Sequence, residues 1–106
     1  MIDKETLSKL YFIAKQKAFL RTIEFVEYVS LIALEFESSN LLNDAEMLLY
    51  EAGEELKQIQ VVFGEEKTKN LKEAFLEAYN DYTMAKKLLK ASKDDTEAEN
   101  VSIFPA

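Results

Sequence analysis

The chain has no cysteine, no histidine and no tryptophan, and it carries one proline and two glycines in 106 residues. Without cysteine there is no disulfide framework and no thiolate metal site. Without histidine, the acid–base and nucleophilic arrangements built on imidazole are excluded, and with them most zinc and redox centres. A di-iron carboxylate bundle is disfavoured for the same reason, since its Glu-x-x-His pairs cannot be made. No glycine-rich turn is present to cradle a phosphate. No stretch approaches the roughly 18 uncharged residues of a membrane span, because Glu24, Glu27 and Glu35 interrupt the most apolar one. The opening Met1-Ile2-Asp3-Lys4-Glu5 places acid where a secretory leader places base. These absences lead to the expectation of a soluble, cytoplasmic protein that is not an enzyme and needs no cofactor.

What is present is helix. Between Met1 and Ser92 no proline occurs and apolar residues recur at helical spacing, and a hydrophobic content of 48% suits a packed core. Asp3 is placed to cap a first helix over about 4–37. Leu7, Tyr11, Ala14, Ala18, Phe25, Val29, Ile32 and Phe36 form one stripe on it. Phe12, Ile13, Phe19, Leu20, Ile23, Val26, Leu31 and Leu34 lie off that stripe, so this helix is apolar on more than one face. Ser38-Ser39-Asn40 reads as a turn, with Asn40 or Asn43 capping a second helix over about 41–63. That helix has one clean face of Leu41, Ala45, Leu48, Leu49, Ala52, Leu56, Ile59 and Phe63, and Gly64 follows as a left-handed terminator. A third helix over about 65–92 repeats the pattern with Leu71, Ala74, Phe75, Ala78, Tyr82, Ala85 and Leu89. The tyrosines at 11, 28, 50, 79 and 82 read as core-edge residues.

The fold class expected is all-α, an antiparallel three-helix bundle, or four helices if the first breaks near Arg21. Residues 1–93 form the bundle, and 94–106 form an acidic tail ending in the apolar Val101-Ser102-Ile103-Phe104-Pro105-Ala106. At 1.5 Å per residue the first helix is roughly 50 Å long and the second about 34 Å. The excess of the first, with its second apolar face, calls either for a kink or for a second chain.

Charge is segregated. Residues 1–21 hold five basic and two acidic groups, residues 22–66 one basic and eleven acidic, and residues 67–93 seven basic and three acidic. The acidic middle repels phosphate backbones and attracts basic protein surfaces. The expected role is therefore a small acidic interaction module, an accessory or adaptor subunit that binds a protein partner or itself, with no direct nucleic-acid or membrane contact. Its contact residues are expected to be Phe12, Phe19, Ile23 and Val26 on the first helix. Glu46, Glu51, Glu54 and Glu55 would steer from the second, and Ile103 and Phe104 would either anchor from the tail as a short linear motif or fold back onto the second apolar face of the first helix. A nucleic-acid mimic blocking a basic partner is a further possibility on the same charge.

One segment suggests a different class. Leu49-Tyr50-Glu51-Ala52-Gly53-Glu54-Glu55-Leu56 resembles the Glu-x-Gly-Glu helix of the MazG-like all-α nucleotide pyrophosphohydrolases, and two carboxylates three apart on one helix can share a magnesium ion. That resemblance implies a second pair on the next helix, where this chain reads Glu77-Ala78-Tyr79-Asn80-Asp81 with the aspartate one position out of register. Its implied ligands are Glu51, Glu54, Glu77 and Asn80.

Overall fold

A computed structural model describes the backbone of residues 2–103 and the side chains of residues 2–93. Three helices, α1 Lys4–Glu35, α2 Ser39–Phe63 and α3 Lys69–Ile103, pack against one another as a three-helix bundle. The first helix is continuous through Arg21, so the four-helix alternative does not arise. The third begins four residues later than its periodicity indicates and its backbone runs on to Ile103. Phe104, and the side chains of Ile103 and the rest of the tail, lie outside the described residues.

Local chemistry sets each boundary. Asp3 caps α1 by accepting the Thr6 amide at 3.0 Å, and its other carboxylate oxygen takes the Thr6 hydroxyl at 3.0 Å. These bonds, the amide first, hold the Asp3 carboxyl below its ordinary range. At its far end α1 closes with Ser38 N–H donating to the Ala33 carbonyl and Glu37 N–H to that of Leu34. This closure puts Glu37 at φ 50°, a left-handed conformation in which glycine is the usual occupant. The cap of α2 is Ser38, whose Oγ accepts the Leu41 amide at 3.1 Å, and neither Asn40 nor Asn43 serves. A hydroxyl one residue beyond the turn reaches the free amides of the first helical turn, whereas both asparagines already lie inside the helix.

Gly64 ends α2 at φ 89° and ψ 157°. This is a glycine-only region, extended rather than left-handed helical. The chain then needs residues 65–68 to turn. Thr68, fully buried, donates its hydroxyl to the carbonyls of Gly64 at 2.8 Å and Glu65 at 3.2 Å, while its own carbonyl accepts the Lys72 amide. That back-bonded turn is what delays α3.

The short connections make the order up, down, up. Phe63 at the end of α2 meets Phe12 edge-on, with ring centroids 4.7 Å apart. At the other end Ser92 donates to Glu37 at 2.9 Å and Lys93 to Ser39. The first turns of α1 therefore project beyond α2 at one end, and the end of α3 passes the α1–α2 turn at the other. The molecule measures 78 × 22 × 15 Å. Its radius of gyration of 19.2 Å compares with about 13 Å for a compact chain of this length.

The core is a single file of side chains between the helices. Leu49, Ala52, Leu56 and Ile59 come from α2, with Leu71, Ala78, Tyr82, Ala85 and Leu89 from α3. From α1 come Phe19, Ile23, Val26 and Ala33. Thus α1 turns inward one part of the set that lies off its longest stripe, while Ile13 and Leu31 of that set are exposed and Leu7, Tyr11, Phe25 and Phe36 of the stripe are more than half exposed. Arg21 explains the choice. It falls within the stripe's gap between Ala18 and Phe25, so turning that face inward would bury a guanidinium without a partner, at a cost of several kcal/mol. The face through Phe19, Ser30 and Ala33 has no charge in its middle and small residues where α3 approaches.

Candidate functional site

The burial pattern moves the predicted contact residues. Phe19, Ile23 and Val26 are 0–3% exposed, so they hold the bundle together and do not form an outward face. Phe12 is half-buried on Phe63 and closes the open end of the core. The apolar surface of α1 lies on its opposite side, where Leu7, Leu10, Ile13, Phe25, Tyr28, Leu31 and Phe36 are 46–69% exposed. Single exposed apolar residues are common on soluble proteins, whereas clusters at both ends of one helix side mark a contact surface. Of the five tyrosines, Tyr82 alone is buried and the other four stand out in solvent.

The four glutamates of α2 do not form one surface. Glu46 and Glu54 border the α2–α3 groove, Glu51 projects from the outer side beside Met47 and Tyr50, and Glu55 faces α1 across a cleft that also holds Lys15 and Tyr11. The α2–α3 groove, about 510 Å³, has Leu49, Leu56, Phe75 and Gly53 along its floor and Tyr50 and Tyr79 among its walls. A Cβ placed on Gly53 would touch the Phe75 ring at 3.4 Å. This glycine is thus a packing position, with the ring laid on bare backbone. Tyr82 reaches Glu46 from beneath, and burial first, then that carboxylate, pushes its phenol above the ordinary value.

A second cleft, about 390 Å³, separates α1 and α3 and is bordered by Glu27, Ser30, Leu31, Asp81 and Met84. Burial, followed by the charges of Asp81 and Glu77, raises the Glu27 carboxyl above its ordinary range. Ser30 Oγ, beneath it, has no hydrogen-bond partner among the described residues.

This arrangement separates the ligands implied by the pyrophosphohydrolase resemblance. Glu77 interacts with Glu27 on the α1 side of α3, whereas Glu51 and Glu54 stand on α2. Asn80 is exposed. Among the described residues no three Asp or Glu side chains converge as a metal site would require. Periodicity on α3 alone cannot show this, because which side of α3 meets α1 is decided by α1's own choice of inward face.

No helix among the described residues is long and apolar enough to cross a membrane. No model of a known protein family matches this chain, and neither a curated protein sequence nor a solved structure matches it.

Proposed function

We propose that this chain is a small protein-interaction module, an accessory or adaptor subunit whose contact surface is the outer face of α1. The observation that supports this most is the length of that face. Large apolar side chains stand about half exposed or more in two runs, Leu7 to Ile13 and Phe25 to Phe36, at the two ends of a helix of 32 residues. Burying such side chains is worth roughly 25 cal/mol per Å², and among the described residues nothing covers them. The face replaces Phe12, Phe19, Ile23 and Val26, which the core has already used.

Two substitutions on the outer face, Phe25→Glu and Leu31→Glu, test the reading. Both are expected to leave the helical melting curve within a few degrees of the parent and to abolish the association that the parent shows, read by light-scattering mass and by co-purification. A collapse of the melting temperature, or association that survives both changes, would contradict it.

A further inference from the structure

The outer face of α1 has a finer pattern than exposure alone. From Leu7 to Glu35 its most outward positions follow alternating steps of three and four residues, the spacing of a coiled-coil seam. Leu7, Leu10 and Ala14 occupy the first part of the seam and Tyr28 and Leu31 the second. Between them, at successive seam positions, stand Lys17, Arg21 and Glu24. All of these are exposed, and among the described residues none of the three central charges has an ion-pair partner.

Charge on α1 is divided at that centre. Residues 4–21 carry five basic groups and one acidic, and residues 22–35 carry three acidic and none basic. A parallel copy would set Lys17 on Lys17, Arg21 on Arg21 and Glu24 on Glu24. An antiparallel copy with its two-fold axis between Arg21 and Glu24 reverses every one of these layers. Arg21 then meets Glu24, Lys17 meets the Tyr28 ring, Ala14 meets Leu31 and Leu10 meets Glu35, with each layer repeated by symmetry. Polar residues at seam positions commonly specify register and orientation in this way.

Resting on the reading of α1 as a contact face, we infer that its occupant is a second copy of this chain, paired antiparallel through the α1 seam in a closed two-fold dimer. The pairing is isologous, so it ends at two chains and does not propagate. In this register residues 10–35 of the two copies overlap, a strip about 39 Å long and one helix diameter wide, about 10 Å, which gives roughly 800 Å² in total, the size of a weak, transient contact. The dimer is therefore expected to be reversible and sensitive to salt. It leaves the α2–α3 groove of each copy open on the outside.

A charge-exchange series on the full chain, read by sedimentation equilibrium over a range of concentrations, tests the register. The parent should show twice the chain mass of 12.2 kDa at high concentration. Arg21→Glu and Glu24→Arg should each weaken the dimer roughly tenfold or more, and combining them should return it to within about threefold of the parent. A mass of one chain at every concentration overturns the pairing, and so does a combined variant as weak as the single ones. The contact-face reading fails separately, through a collapse of the melting temperature in Leu31→Glu. Circular dichroism of every variant excludes unfolding as the cause.

Discussion

Helices α1 and α2 are similarly apolar on average and use that character differently. In α2 the apolar residues converge on one side, and Leu42, Ala45, Leu49, Ala52, Leu56 and Ile59 disappear into the core. In α1 they surround the axis, so a bundle of three helices can bury only half of them, and the half it takes is the one free of charge. Apolar content therefore says how much surface a helix offers. The position of a single charge says which side is used.

The largest effect that would break this comparison concerns two phenylalanines of α1, Phe19 and Phe25. Phe19→Ala removes a fully buried ring and should cost about 3–5 kcal/mol, whereas Phe25→Ala, from an exposed ring, should stay within about 0.5 kcal/mol. Urea titration of both variants gives the answer, and equal losses would mean that α1 has no preferred inward side. The turn that feeds α3 comes next. Thr68→Val keeps the shape and removes the hydroxyl that serves two carbonyls, so a loss of about 1–3 kcal/mol is expected, against a near-neutral Thr83→Val, whose hydroxyl makes one bond on a more exposed side.

The smallest effect distinguishes the α1–α3 side from the α1–α2 side by pH. Burial and the neighbouring Asp81 and Glu77 raise the Glu27 carboxyl, so the folded chain binds that proton more tightly than the unfolded one does. The charged form thus opposes folding at neutral pH, and the opposition fades as pH falls toward the ordinary value near 4.5. Glu27→Gln should be more stable than the parent at pH 7 and converge with it at about pH 4, as thermal melts across that range would show. Asp3 has the opposite sign. Its lowered carboxyl supports the fold above the ordinary value of 3.8, and that support is lost as pH falls through its folded-state value.

How much of this was legible follows the same division. The faces of α2 and α3 could be read almost residue by residue, because Leu49, Ala52, Leu56, Ala78, Tyr82 and Leu89 recur on one side with polar residues opposite. The cap at Asp3 and the break at Gly64 were equally clear, since each depends on one residue's own chemistry. The inward side of α1 was not legible from stripe length, and the contact residues assigned to it were the core. The signal was Arg21, which interrupts the longer stripe where burial has no counter-ion to offer. The turn at 65–68 was hidden because it depends on the Thr68 hydroxyl folding back onto the loop, which periodicity does not register. The separation of Glu77 from Glu51 and Glu54 depends on how the helices are arranged about one another, which no single helix contains.

The absence of native cysteine permits a direct reading of α1, since one introduced thiol reports on one position. Val26→Cys and Phe25→Cys place it on adjacent residues, one buried and one more than half exposed. In dilute solution the thiol at 25 should react with a maleimide at nearly the rate of the unfolded chain and become shielded as concentration rises and copies pair. The thiol at 26 should stay protected by about 100-fold or more at every concentration. A protected thiol at 25 in the dilute chain, or a freely reacting one at 26, would contradict the division of α1 into a spent inner face and an open outer one.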